Sequence, residues 1–204
     1  MRIIGITGGM GSGKSKVLDY LQEQYHTYVI QLDEVAKMLY KKGQTCHQKV
    51  IELFGTDVLD EEGEISIPRL RSVVFGNEPN RLKLHAVVHP EVKRWVIEDI
   101  TRKRMQGVSL YVIEAALLIE DKYSEICDTM WYIYVDANVR IKRLQESRGL
   151  SSESILAIMK TQQSPEEYRI HCDITIDNSG DFKDTMLQLD HHIKQEIEEI
   201  HEIM

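Results

Sequence analysis

The sequence predicts an α/β protein: a parallel five-stranded sheet between helices, carrying a helical insertion. Three observations predict it. Short β-branched runs alternate with stretches of helical spacing, the pattern of strands buried on both faces. A glycine-rich segment follows the first such run at once. About 80 residues separate the second and third strands, far beyond the dozen or so that a simple crossover needs.

The elements follow in order. Ile3-Ile4-Gly5-Ile6 reads as a buried strand. Lys14 to Tyr25 has Val17, Leu18 and Leu21 at helical spacing, and Tyr28-Val29-Ile30 is a second strand. Residues 33–106 are mostly helical in pattern, with turn signals at Gly43, Gly55, Gly63 and Gly76-Asn77. Ser66-Ile67-Pro68 has the look of a cap followed by a proline near a helix start. Leu110 to Ile113, Met130 to Val135 and Ile174 to Ile176 are the remaining strands. Residues 137–147 predict a basic helix stopped by Gly149, and Ser151 starts another reaching about Gln163. Met186, Leu187, Leu189, Ile193, Ile197 and Ile200 mark an amphipathic closing helix over 181–203.

Composition narrows the function classes. The chain has 204 residues, which is enough for a sizeable core, and 42% of them are hydrophobic, too apolar for a disordered chain. A net charge of −8 argues against a nucleic-acid-coating surface, though a local cationic site for a small anion is allowed. Cys46, Cys127 and Cys172 are odd in number, far apart and free of a CxxC pattern, which fits a reducing compartment and no zinc site. No apolar run approaches the ~20 residues of a membrane span, and the N-terminal run is too short for a signal peptide. The expectation is a cytoplasmic protein with no nucleic-acid or membrane partner.

Gly8-Gly9-Met10-Gly11-Ser12-Gly13-Lys14-Ser15 matches GxxxxGK[ST] between a strand and a helix, the context the motif requires. Glycines let successive N–H groups curl toward phosphate oxygens, and the helix N-terminus adds partial positive charge. Lys14 is placed to reach the β- and γ-phosphates, and the Ser15 hydroxyl to ligate Mg²⁺, a hard ion that prefers oxygen.

Three other features offer two readings each. Asp33 follows the second strand, where ligands bind at strand ends; it is a base for an attacking hydroxyl or a helix cap. Glu114 ends the third strand and is a carboxylate near a metal-bound water or a strand-end polar residue. Segment 138–149 holds Arg140, Lys142, Arg143 and Arg148 against Glu146 alone, a mobile phosphate-clamping lid or a solvated basic face. His85 and His89, four apart on a helix, lack a third ligand and suit packing or substrate contact better than metal. Cys46-His47 are adjacent and do not face each other on a helix. Asp60-Glu61-Glu62-Gly63 reads as a polar turn, because no NKxD motif accompanies it.

Several of these coincide with further motifs: Phe54-Gly55, Val74-Phe75, His89-Pro90, Ala116-Leu117-Leu118-Ile119-Glu120, Val135-Asp136, Arg143-Leu144, Arg148-Gly149, Gln162 and Cys172-Asp173…Ile176-Asp177-Asn178. Together, over about residues 1–180, the sequence resembles the dephospho-CoA kinase family. The resemblance implies a P-loop kinase core with a helical CoA-binding insertion and a lid. It divides the chain into core with phosphate loop (1–32), insertion (33–106), core (107–137), lid (138–165) and core with closing helix (166–204). It implies transfer of the ATP γ-phosphate to the ribose 3′-hydroxyl of dephospho-CoA, with Mg²⁺.

By resemblance, Asp33 is the base candidate and Arg143 and Arg148 are lid arginines. His89 falls in the substrate domain, and the turn Asn178–Gly180 lies where the family holds adenine. ATP is expected on Gly8, Gly9, Gly11, Ser12, Gly13, Lys14, Ser15 and Lys16, with Arg148 and Asn178. The chain departs from the family where a frequent Asp-x-Asp is Gln31-Leu32-Asp33, where Asp-Arg is Ser66-Ile67, and where an Arg four residues before Gln162 is Ile158. Another P-loop kinase acting on a nucleoside or sugar is the alternative, and a nucleotide-dependent switch is a third reading. A monomer or weak homo-oligomer is expected. The acidic tail, Lys194 with Glu196, Glu198, Glu199 and Glu202, is either a subunit contact or a solvated end.

Overall fold

The computed structural model describes residues 1–203, with side chains through residue 200. In chain order the elements are β1 (Arg2–Thr7), α1 (Lys14–Tyr25), β2 (Tyr28–Gln31), α2 (Leu32–Leu39), α3 (Thr45–Phe54), α4 (Ile67–Val74) and α5 (Glu78–Met105). Then come β3 (Leu110–Glu114), β4 (Thr129–Tyr134), α6 (Ala137–Arg148), α7 (Ser152–Lys160), α8 (Pro165–His171), β5 (Ile174–Asp177) and α9 (Phe182–Ile203). They form two compact units, one of residues 1–30 with 104 onward and one of residues 31–103.

The first unit is built on a five-stranded parallel sheet of order β2-β3-β1-β4-β5. The first strand is therefore central, and the chain crosses over it between β3 and β4. Such a reversal point opens a crevice beyond the C-terminal strand ends. Side chains alternate across the sheet. Ile4, Ile6, Leu110, Val112, Trp131, Ile133 and Ile176 pack with Val17, Leu18 and Leu21 of α1 and Leu189 and Ile193 of α9. The other face is also buried, through Ile3, Tyr111, Ile113, Met130 and Tyr132. Each such side chain contributes roughly 1.5–3 kcal/mol by leaving water.

Gly5 lies on this second face for lack of room: a Cβ there would stand 2.5 Å from Met130 Sδ and 3.0 Å from Cys127 Sγ. At the N-terminal ends of the strands, the aspartates of two Cys-Asp steps fasten the strand starts. Asp128 Oδ2 accepts from the Ile3 N–H at 2.7 Å while its own N–H donates to the Ile3 carbonyl at 2.8 Å. Asp173 treats Met130 the same way, at 2.8 and 2.9 Å. The closing helix is tied back to β1, where an Arg2 Nη2 lies 2.8 Å from buried Glu196 and 2.7 Å from Glu199. The Glu202 side chain lies outside the described residues.

The helix expected from Ser151 to about Gln163 ends early, and a further helix that the sequence reading did not anticipate follows it. The first, α7, stops at Lys160, and Ser164 starts α8 with a full capping box to Glu167 and Pro165 in the first turn.

The second unit is helical. Val88, Val92, Val96 and Ile100 form one buried stripe along the 28-residue α5, which continues through Pro90. Val35, Leu39, Cys46, Val50, Val58, Ile65 and Leu70 are buried as well. Asp60 to Gly63 is a turn: Asp60 Oδ1 accepts from the N–H groups of Glu62 and Glu64, between bridged Leu59 and Ile65. Ser66 does stand at the N-cap of α4, but its hydroxyl makes no capping hydrogen bond. The start is set by its backbone and by Pro68, whose missing N–H is not needed in a first turn.

Candidate active site

The phosphate loop joins the end of β1 to α1. Gly11 and Gly13 have φ of 85° and 87°, the left-handed region that side chains disfavour. The curl is closed by the Ser12 N–H donating to the Gly9 carbonyl at 3.1 Å. Lys14 folds back over the loop, its Nζ 2.7 Å from the Gly8 carbonyl and 3.6 Å from Glu114 Oε1. Glu114 reaches this place because β3 pairs with β1 in the register Ile6↔Glu114. Beneath the loop the Ser12 hydroxyl is buried and has no hydrogen-bond partner among the described residues. Lys16 is exposed on α1, its ammonium 4.0 Å from the centre of the Phe182 ring.

Helix α6 lies along the loop. Its side chains meet successive loop residues because positions three and four apart share a helix face. The Arg140 guanidinium covers Gly9, and its Nε donates to the Met10 carbonyl at 2.6 Å. Buried Leu144 fills the space beside Gly11, at 2.8 Å from where a Cβ would stand. Arg143 Nη1 comes within 3.8 Å of the equivalent point at Gly13, and Arg148 Nη1 is 3.3 Å from Met10 Sδ. The segment's one acid, Glu146, lies 4.0 Å from Lys142 in an exposed pair. No carboxylate forms an ion pair with the three arginines among the described residues. The basic run is thus not only a solvated face: the lysine is solvated and the arginines border the loop.

Asn178 is buried, and its side chain is engaged at both ends. Its Nδ2 donates to the Ser12 carbonyl at 2.7 Å, and its Oδ1 accepts from Thr185 at 3.0 Å. The amide fastens the loop to α9, so it does not project toward a ligand.

The predicted residues therefore divide. Gly8, Gly9, Gly11, Ser12, Gly13, Lys14, Ser15, Lys16, Glu114, Arg143, Arg148 and Asn178 belong to the first unit, Asp33 and His89 to the second. Asp33 sits in the first turn of α2 and is not its cap, since the N-cap is Gln31. It is exposed and has no hydrogen-bond partner among the described residues. His89 stacks on His85 with ring centres 4.3 Å apart. Cys46 is buried, and His47 is occupied with the Gly63 carbonyl at 2.9 Å.

Sequence reasoning missed two contacts on the loop. Arg140 was one basic residue among four; its place one turn before Arg143 and Leu144 was the available signal. Gln162 accepts from the Met10 N–H at 3.3 Å and from Arg140, across a separation no local pattern reveals.

The residues present suit a magnesium ion held with a nucleotide. No group of three or more His, Cys, Asp or Glu side chains forms a cage among the described residues. Mg²⁺ needs none, because waters and phosphate oxygens complete its octahedron. The exposed, unengaged Ser15 hydroxyl and the Glu114 carboxylate are hard oxygen donors at the loop.

Comparison with known proteins gives a consistent answer. The dephospho-CoA kinase family model matches residues 2–184. A dephospho-CoA kinase of Carboxydothermus hydrogenoformans is 36% identical over 187 residues, covering 92% of this chain and 90% of the relative. A crystal structure from Thermus thermophilus superposes with TM-score 0.79 at 29% identity, covering 95% of this chain and 97% of that one. A dephospho-CoA kinase of Campylobacter jejuni, at 19% identity, shares the fold with TM-score 0.65 over 96% of this chain and 97% of its own. With a phosphate loop of this build and a match spanning nearly its whole length, the chain belongs to the dephospho-CoA kinase family.

Proposed function

We infer that the protein transfers the γ-phosphate of ATP to the ribose 3′-hydroxyl of dephospho-CoA, giving CoA and ADP. The observation that carries this reading is the ring of cations on the phosphate loop: Lys14 on the Gly8 carbonyl, with three arginines of α6 beside Gly9, Met10 and Gly13. In phosphoryl transfer the protein's work is positioning and charge stabilisation, and this set supplies both.

In this reading the backbone N–H groups of residues 8–16 and Lys14 hold the polyphosphate, and Arg143 and Arg148 spread charge over the transferring group. Ser15 would hold Mg²⁺ with Glu114 acting indirectly, and the bound ion would neutralise charge building between the phosphates. Asp33 accepts or orients the hydroxyl's proton; its support is an exposed carboxylate that no hydrogen bond engages among the described residues. Residues 33–106, with His89, bind dephospho-CoA, and residues 138–165 form the lid that excludes water. Asn178 serves by its backbone turn and as a fastening of the loop, not by presenting its amide to the base. No helix among the described residues is long and apolar enough to cross a membrane, consistent with action in the cytoplasm.

The test is ADP release with ATP and Mg²⁺, with and without dephospho-CoA, beside adenosine, pantetheine and simple sugars. ADP and CoA should appear in step with dephospho-CoA alone. Activity only on another hydroxyl compound would overturn the substrate assignment. Asp33→Asn should lower turnover far more than ATP affinity, and equal losses of both would remove Asp33 from the chemistry.

A further inference from the structure

Three features that the reading above leaves without a stated role stand out: the stacking of His85 on His89, the buried Ser12 hydroxyl with no hydrogen-bond partner among the described residues, and the placement of Arg140. The third is carried furthest by its surroundings. Its guanidinium lies flat on the backbone at Gly9, where a Cβ would fall 2.6 Å from Cζ and 2.7 Å from Nη1. Nε donates to the Met10 carbonyl at 2.6 Å, and Nη2 donates to Gln162 Oε1. That same oxygen accepts from the Met10 N–H at 3.3 Å, so one amide joins the loop, α6 and the segment after α7.

These contacts satisfy donors but leave the charge. All the acceptors are neutral oxygens, and no carboxylate pairs with Arg140 among the described residues. Burial pulls the guanidinium down from its ordinary value, opposed only by the phenols of Tyr168 and Tyr132. A half-buried cation without a counter-charge is costly, and such a group is retained where an anion arrives. The loop sets which anion. Lys14 of this motif serves the β- and γ-phosphates, and its Nζ lies on Gly8. Gly9 is the next residue, so Arg140 stands at the part of the loop that takes the β- and γ-phosphates.

We propose that Arg140 is a further phosphate-binding residue, which places its guanidinium against the terminal phosphate of ATP and is held there by Met10 and Gln162. The proposal deepens the kinase reading above and rests on it. The fork geometry of guanidinium suits two phosphate oxygens, and two of its nitrogens already have fixed acceptors that set its plane.

The experiment compares ADP with a non-hydrolysable ATP analogue, by calorimetry, for wild type, Arg140→Met and Arg140→Lys. Thermal unfolding checks that each variant is folded. Loss of one charge-assisted contact corresponds to a fall of roughly 10- to 100-fold in affinity. Arg140→Met should lose that factor for the ATP analogue and little for ADP, so the preference for triphosphate collapses. Arg140→Lys should recover part of it, because it keeps the charge but not the fork. Equal weakening of both nucleotides in Arg140→Met would mark a structural role and overturn the proposal, as would unchanged binding of both. Wild type that binds neither nucleotide would instead overturn the kinase reading itself.

Discussion

Truncating Asn178 to alanine should loosen the phosphate loop without changing which base the protein prefers. The side chain is 3% exposed and makes two buried hydrogen bonds, to Ser12 at 2.7 Å and from Thr185 at 3.0 Å. Removing it strips an acceptor from Thr185, but that hydroxyl keeps the Asp177 carbonyl at 3.2 Å. The Ser12 carbonyl loses its amide donor. A lost buried hydrogen bond with one partner left behind costs about 1–3 kcal/mol, and the surviving Thr185 contact puts the expectation in the lower half, about 1–2 kcal/mol. At roughly 2–4 °C per kcal/mol for a chain of this size, the midpoint should fall by about 2–8 °C. Thermal unfolding of Asn178→Ala, alone and combined with Thr185→Val, measures this, and the double variant should cost less than the sum. ATP and GTP should weaken by the same factor. An unmoved midpoint with a collapsed preference for ATP over GTP would refute the fastening role and return the amide to the base.

Three further outcomes follow from the same contacts. Gly5→Ala should destabilise, because about 1–3 kcal/mol of overpacking against Met130 and Cys127 outweighs the roughly 0.5–1 kcal/mol that alanine gains over a strand glycine; an unchanged urea midpoint would contradict it. Lys14→Ala should abolish both turnover and ATP binding, and normal turnover in that variant would dismiss the phosphate-loop assignment. Stability should decline in alkali. Burial pushes the Cys172 thiol from 9.0 up to about 12, and the Tyr132 phenol from 10.0 up to about 12. A folded value above the unfolded one gives stability that is complete below the unfolded value and lost as pH rises through the folded one, here from about pH 9 for the thiol and 10 for the phenol toward 12. Urea midpoints taken from pH 8 to 11 should be flat at first and then fall; a flat line to pH 11 would contradict the burial argument.

The sheet was legible because its strands are short runs rich in β-branched and aromatic residues, and the inner strands β1, β3 and β4 are buried on both faces. The phosphate loop was legible because its motif is local: the eight residues Gly8 to Ser15, between a strand and a helix, identify it. What escaped was non-local. The break between α7 and α8 had a readable signature in Ser164-Pro165-Glu166-Glu167, but α8 buries Tyr168 alone and so lacks the apolar stripe that announces a helix. The Cys-Asp step appears twice, at 127–128 and 172–173, yet what each aspartate does depends on a strand far away in sequence. Asn178 was assigned to ATP by family resemblance, whereas its side chain answers to Ser12, 166 positions away. A charge run says that cations are present and not which face of the helix they occupy, so Arg140 was hidden among its neighbours.

The distribution of charge around the loop has its own logic. A chain of net −8 repels a polyphosphate at long range, so attraction must come from a few cations at close range. Two of those cations, Arg140 and Arg148, are held by groups that do not compete with phosphate. Arg140 rests on a backbone carbonyl and an amide oxygen, Arg148 on a thioether, and the segment's one carboxylate is drawn off by Lys142 in water. Had each arginine been paired with an aspartate or glutamate, ATP would have had to break charge-assisted bonds before forming its own, and the net gain would have been small. Neutral partners fix the guanidinium planes in advance and leave their charge for the ligand. Preorganised cations of that kind stabilise the charge of a transferring phosphoryl group without rearranging at the moment of reaction.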